Sequence, residues 1–151
     1  MLYILTLIFS YFFHAYLHEY LHLIFTKMTV GVDKYKIKVY PHIDSKLGFV
    51  WASVWTVRSS VANKFQNGMI YFAPRFANIF FIVSIICLQK FELSIYRKIF
   101  IASSMVDLFV GSLGISEKSD LKMYSKFWNL NPWVPRLVGI AASIFSLVIL
   151  I

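Results

Sequence analysis

The chain has 151 residues, of which 59% are hydrophobic, with a formal net charge of +8 and a mean hydropathy of +0.68. This apolar composition excludes an ordinary soluble fold, and the single cysteine, Cys87, excludes an intrachain disulfide. The cations lie between apolar runs, where anionic lipid headgroups account for them better than nucleic acid does, so the sequence predicts one membrane-embedded domain over residues 1–151.

The first apolar segment, about residues 2–25, is long enough as a helix to cross a hydrocarbon core of roughly 30 Å. It contains the motif His18-Glu19-x-x-His22. Because residues four apart share one helix face, His18 and His22 can direct ring nitrogens at one Zn²⁺ ion. Glu19 points about 100° away from His18, which suits a general base that takes a proton from water. The motif therefore predicts a zinc site of the metalloprotease kind, with Glu19 as its catalytic residue.

His14 continues the stripe of histidines one turn earlier on the same segment. Its Cα lies about 12 Å along the axis from that of His22, which is too far for both to join His18 around one tetrahedral ion. We expect His14 to line the cavity beside the metal. The alternative is a packed or hydrogen-bonded core histidine.

The stretch between the first and second apolar segments is rich in strand-forming residues. Residues 35–40 alternate polar and apolar side chains, and residues 48–57 contain many β-branched and aromatic residues. Residues 41–46 would connect the two strands. The sequence thus predicts a small β-hairpin or small sheet, and its Trp and Tyr content is typical of a membrane surface.

Three further apolar segments follow, at about 69–88, 99–115 and 134–151. Pro74, Arg75 and Asn78 interrupt the second segment, and Asp107 lies within the third. A polar stretch at 116–120 and a short helix at 121–128 separate the third from the fourth. The predicted fold is therefore an all-α polytopic membrane protein with about four transmembrane helices and a surface hairpin between the first two.

The distribution of Lys and Arg predicts the topology. Most of them lie at 27–64 and 118–136, whereas only three lie in the loop between the second and third segments. The positive-inside rule then puts the hairpin and residues 116–131 on the cytoplasmic side of a multi-pass protein, which we expect in the cell membrane. This orientation places the end of the first segment on the same face as Asp120.

The chain resembles the site-2 protease family of intramembrane zinc metalloproteases, in a minimal and divergent form. The resemblance begins with the His-Glu-x-x-His helix and the membrane-associated hairpin region. Residues 73–78, Ala-Pro-Arg-Phe-Ala-Asn, are similar to the family's Gly-Pro-x-x-Asn element, with Ala in place of Gly. Residues 107–110 stand where the family has Asn-x-x-Pro, and Asp120-Leu121 stands where it has Asp-Gly. The resemblance implies Zn²⁺ and a carboxylate ligand from the later part of the chain.

Two aspartates are candidates for that third ligand. Asp120 precedes a stretch that resembles the helix after the family's ligand carboxylate, and it lies at the expected face of the site. Asp107 is more deeply embedded and is the alternative, either as a ligand or as a partner of one. Asn78 is a candidate donor to the substrate backbone or the developing oxyanion, with a helix-to-helix hydrogen bond as the other interpretation.

The resemblance implies a zinc metalloendopeptidase that cleaves a membrane protein or peptide substrate in or near a transmembrane segment, with the active site near the cytoplasmic face. The bilayer would be a second partner. The alternative function is metal binding without proteolysis, as in a degenerate homologue, a sensor or a chaperone-like binder. The lost Gly and Pro landmarks motivate this alternative.

Overall fold

A computed structural model describes residues 2–44, 48–50, 52–88, 92–114 and 119–150. Residues 45–46 of the expected hairpin connection, Trp51 of its second strand, Lys90 and residues 116–118 of the expected polar stretch lie outside these ranges. Within the described ranges the chain forms six helices and four strands, in the order α1 Leu2–Val30, β1 Val32–Lys38, β2 His42–Asp44, β3 Gly48–Val50, β4 Ser53–Arg58, α2 Lys64–Phe72, α3 Pro74–Leu88, α4 Ile95–Leu113, α5 Asp120–Phe127 and α6 Trp133–Leu150.

Helix α1 is an apolar helix that turns its polar residues inward. It ends at Val30, where Gly31 takes a positive φ of 75° and donates its N–H to the carbonyl of Lys27. Most of its large apolar side chains before His14 are exposed. The buried residues of α1 are Ser10, His14, Glu19, His22, Leu23, Thr26 and Val30.

The strands lie in the stretch where the sequence predicts a hairpin, and they form two nested antiparallel pairs, as the two sides of a hairpin do. β1 pairs with β4, and β2 pairs with β3. The first pair packs beside α1, and the hydroxyl of Ser60, just after β4, donates to the carbonyl of Val30. The sheet therefore lies at the C-terminal end of α1.

The segment predicted as one helix over 69–88 is two helices, α2 and α3, bent by 46° around Ala73. Asn63 caps α2: its side chain accepts from the backbone of Gln66, and the Gln66 side chain accepts from the backbone of Asn63. Pro74 begins α3, where its missing N–H costs least. After the break, α3 runs in a different direction from α2, and it begins close to α1.

Helices α3, α4 and α6 share the largest apolar core of the described residues. It consists of Phe81, Ile85, Ile101, Met105 and Leu150, with Leu17 of α1 and other half-buried apolar residues around it. The buried residues of α6 are otherwise small: Gly139, Ser143 and Ser146. A Cβ at Gly139 would overlap the Ser112 hydroxyl, so this glycine lets α6 approach α4 closely.

The prediction of an all-α protein with about four transmembrane helices is wrong. Among the described residues, one helix, Trp133–Leu150, is long and apolar enough to span a membrane, with a mean hydropathy of 1.9. The bent pair Lys64–Phe72 and Pro74–Cys87 passes the same test only when taken together. Two physical reasons explain the difference. The histidines and Glu19 lower the hydropathy of α1, and Arg97, Lys98 and Asp107 put three charges into α4.

Candidate metal centre

Three potential ligand atoms from two helices converge on one point. His18 Nε2 lies 2.9 Å and His22 Nε2 lies 3.1 Å from Asp120 Oδ2. All three ligand atoms lie within 4.8 Å of one another. Asp120 is the first residue of α5. It lies about a hundred positions after the two histidines of α1 in the chain and adds a third ligand atom to theirs. The structure thus brings together the three residues that the sequence favours as ligands.

The second ring nitrogen, Nδ1, of both His18 and His22 also lies near an oxygen acceptor. His22 Nδ1 donates to the carbonyl of Ile70, 2.7 Å away on α2. His18 Nδ1 lies 3.5 Å from Asp107 Oδ1 on α4. A carbonyl can only accept, so Nδ1 of His22 carries a proton, and its Nε2 donates to the Asp120 carboxylate when that nitrogen is also protonated; a bound metal ion would take the place of the Nε2 proton. This arrangement of outer acceptors is typical of histidines that bind metal.

The donor set suits Zn²⁺. Two imidazole nitrogens and one carboxylate oxygen form the three-ligand set of catalytic zinc sites, in which the fourth position serves water or substrate. Ligand atoms around a tetrahedral Zn²⁺ ion lie about 3.3 Å apart, from bond lengths of about 2.0–2.1 Å. The two distances to Asp120 Oδ2 are shorter than this by a few tenths of an ångström, so small side-chain shifts accommodate the ion.

The charges of the site favour an ionised Asp120. Burial alone would raise the pKa of its carboxyl, but the charges and hydrogen bonds of His22 and His18 hold that pKa well below its usual range. Asp120 is therefore a carboxylate at neutral pH, as a metal ligand must be.

Glu19 lies next to His18 on α1 and is only 8% exposed. Burial raises the pKa of its carboxyl, partly opposed by the neighbouring His18 and His22. Among the described residues, no hydrogen bond occupies this carboxylate. A buried carboxylate with a raised pKa and free lone pairs has the properties of a general base that takes up a proton and later returns it.

The half-buried Asp107 and the buried Asn78 belong to a polar network behind His18. Asn78 Nδ2 donates to Asp107 Oδ2 at 3.3 Å and to the Ser104 carbonyl at 3.2 Å, and Arg75 Nη1 donates to Asn78 Oδ1 at 3.4 Å. Burial raises the pKa of Asp107, but His18, Arg75 and Asn78 together lower it to about 2. In this geometry Asp107 supports the outer nitrogen of His18, and the amide of Asn78 joins α3 to α4.

His14 is surrounded by aromatic rings and does not lie at the point where the ligand atoms of His18, His22 and Asp120 converge. Its Nε2 donates to the Phe100 carbonyl at 2.9 Å, and its ring packs edge-on against Phe81. It also lines a small cavity of about 10 Å³ together with His18, Asn78 and Asp107. Both expectations for His14 therefore describe its position in part, because it is hydrogen-bonded and lines this cavity.

Helix α5 is held in place by α2. A Cβ at Gly68 would overlap the Trp128 ring, and the rings of Tyr71 and Phe127 stack with centroids 5.9 Å apart. The sequence reasoning missed this contact and the carbonyl of Ile70. A backbone carbonyl carries no residue-type signal, and only the pairing of a small residue with a distant Trp could have indicated the helix contact.

Comparison with protein-family models, curated proteins and solved structures gives no match to this chain.

Proposed function

We propose that this protein is a zinc metalloendopeptidase of the site-2 protease type, which hydrolyses a peptide bond in or near a transmembrane segment of a membrane protein. The observation that carries this proposal is the convergence of His18, His22 and Asp120, with Glu19 buried beside them. A His-Glu-x-x-His helix with one distant carboxylate has the composition of a hydrolytic zinc site.

When bound, Zn²⁺ would polarise the scissile carbonyl and lower the pKa of a water molecule. Glu19 takes a proton from the attacking water and then gives it to the amide nitrogen as the C–N bond breaks. The Ile70 carbonyl and Asp107 hold the outer nitrogens of the two histidines, so that both Nε2 atoms keep their direction through the reaction.

The exposed apolar side chains support the proposal that the substrate is a membrane protein. Among the described residues, more large apolar side chains are exposed than buried, and they include most of the first half of α1 and the outer face of α6. Soluble monomers rarely expose so much contiguous apolar surface. α6 has the length and hydropathy of a membrane span. A substrate helix in the same bilayer would have its carbonyls hydrogen-bonded, so it must unwind locally before attack.

The test is metal analysis and a cleavage assay on the purified full chain in detergent, with a panel of membrane-spanning peptides. We expect one zinc ion per chain and cleavage in the wild type. Glu19→Gln should retain the zinc and lower the turnover by about 10²–10⁴-fold, the usual contribution of a general base. Glu92→Gln, an exposed glutamate just before α4, is the matched control and should cleave normally. Cleavage that persists in Glu19→Gln at equal zinc content would disprove the mechanism.

A second candidate is metal binding without proteolysis. The observation that favours it is the enclosure of the site: the ligand side chains are 9–22% exposed, and the cavity beside His18 is only about 10 Å³. Stoichiometric zinc with no turnover across the peptide panel would select this candidate. Absence of zinc from the folded protein would exclude both.

A further inference from the structure

The pair of strands β1 and β4 has one face that the metal site does not use. In the register of this pair, Lys34 lies opposite Val57, Lys36 opposite Trp55, and Lys38 opposite Ser53. Residues directly opposite each other in an antiparallel pair point to the same side of the sheet. The three lysines therefore share one face with Trp55 and Val57, which we call the lysine face.

The lysine face points away from the body of the protein. On the other face, the Tyr35 ring lies under Lys27 Nζ of α1, 4.7 Å from the ring centroid, which directs that face toward α1. Lys34 and Lys36 are exposed, and Trp55 is 58% exposed. Most of the Trp55 side chain is therefore open to the surroundings of the protein.

The lysine face carries positive charge with no counter-ion of its own. Successive lysines on one side of a strand lie about 7 Å apart. Every ion pair among the described residues joins a histidine to an aspartate, so none involves these three lysines. The one acidic residue of β1, Asp33, lies at the bulge beside Lys34 and accepts a hydrogen bond from Ser59 Oγ.

We propose that the lysine face docks on the surface of a bilayer that contains anionic phospholipid. The ammonium groups meet the anionic headgroups, and Trp55 enters the boundary between headgroups and acyl chains, where indole rings favour both environments. The exposed apolar surface of α1 and the candidate span α6 indicate that a bilayer lies next to the protein, and the lysine face would meet the surface of that bilayer. The docking goes beyond the proposed peptidase activity and does not rest on it.

Docking would also fix the height of the metal centre. His22 lies eight residues before Val30, about 12 Å along the axis of α1 from the end that carries the sheet. A headgroup contact at that end therefore holds the ligand set at a defined distance from the membrane surface.

The test uses the full chain in nanodiscs of phosphatidylcholine, with or without phosphatidylserine. On a Cys87→Ser background, an environment-sensitive fluorophore is placed by Trp55→Cys on the lysine face. Tyr35→Cys is the matched control, since Tyr35 is 54% exposed on the opposite face. We expect a blue shift and quenching by brominated lipid only for the label at 55 and only with phosphatidylserine. The shift should fall in high salt, where the Debye length drops from about 10 Å at 0.1 M to about 3 Å at 1 M.

Charge variants distinguish an effect of the lysine face on the fluorescence shift from an effect of the total charge of the protein. Lys34→Glu with Lys36→Glu should abolish the phosphatidylserine-dependent shift, and Lys34→Gln with Lys36→Gln should reduce it. Arg97→Glu with Lys126→Glu changes the net charge equally at exposed positions on other helices and should leave the shift intact. An equal shift in neutral discs, an equal response of the label at 35, or no effect of the lysine variants would overturn the proposal.

A face that binds an acidic protein or a nucleic acid would give no change in fluorescence with lipid, which would also overturn the proposal. Zinc content, measured on the same samples, should stay unchanged and reports separately on the metal centre.

Discussion

Helices α1 and α6 are both long and apolar, but their buried polar residues have different partners. On α1, His14 and His22 bond to carbonyls of α4 and α2, and His22 also reaches Asp120 of α5. On α6, the Ser143 hydroxyl donates to the Gly139 carbonyl of its own helix. The buried histidines of α1 thus connect helices, although Ser10 and Thr26 bond to carbonyls of α1 itself, whereas the buried Ser143 of α6 bonds only within its own helix.

This difference predicts that substitutions on the inner side of α1 and in its partners affect metal binding, whereas substitutions on the inner side of α6 affect stability. It also explains why, among the helices that the structure describes, α6 is the one that is apolar enough to count as a membrane span by itself. The residues that give α1 its chemistry are the ones that lower its hydropathy.

The largest effect expected is that of Asp120→Ala. It removes one of three protein ligands and the negative charge of the site, so zinc affinity should fall by more than the roughly 100-fold that loss of an outer partner can cause. Elemental analysis after dialysis, at equal folded yield, measures this. A zinc-loaded Asp120→Ala together with an empty Asp107→Ala would show that the ligand assignment is wrong.

On α6, Gly139→Leu should cause the next largest effect. A side chain there would be forced into Ser112 of α4, and overpacking of this kind costs about 1–3 kcal/mol. The midpoint of thermal unfolding in detergent should fall, while zinc binding by the folded fraction is kept. Ala141→Leu, on the exposed side of the same helix, is the control and should unfold at the wild-type temperature. Loss of zinc without loss of stability in Gly139→Leu would contradict the comparison of the two helices.

A smaller effect is expected for Asp107→Ala. It removes the acceptor behind His18 but no ligand, so the protein should keep a zinc site with affinity lowered about 10–100-fold. Competition with a chelator of known affinity measures the change. Asp107→Asn keeps the shape and one acceptor oxygen but loses the negative charge, so it should recover only part of the loss, whereas a purely steric defect would be recovered fully.

Ser143→Ala should have the smallest effect. Its hydroxyl bonds only within α6, so its loss should change stability by no more than about 1 kcal/mol and zinc affinity not at all. The same thermal and chelator measurements apply. A hundredfold loss of zinc affinity here would mean that α6 contributes to the metal centre.

The local part of the site could be predicted from sequence because helix geometry fixes which side chains share a face. That reasoning placed His18 and His22 together and Glu19 beside them. The choice of Asp120 needed a topology argument and a family resemblance, since its distance from α1 depends on how α5 packs on α2. The role of Asn78 stayed open because the same amide can serve a substrate or a neighbouring helix, and only its contacts with Ser104 and Asp107 distinguish the two.

The number of membrane spans was the least predictable feature. Hydropathy along the chain cannot separate an apolar helix with a polar inner side from a uniform span, which led to the error at α1. The break at Ala73 was missed for a related reason: Pro74 is compatible with a kink inside one helix or with the start of another. β2 was predicted as part of the hairpin connection because it has only three residues.

The position of α2 has a consequence for protein engineering. This helix accepts the hydrogen bond of His22 through Ile70 and receives Trp128 of α5 against Gly68, so ligands from both ends of the chain are positioned against one short element. A designer who transferred the site to another helical scaffold would therefore need the second half of α1, α2 and α5, together with Asp107 of α4 behind His18. Enlarging Gly68 in such a scaffold would tune metal affinity by displacing Asp120, with every ligand residue left unchanged.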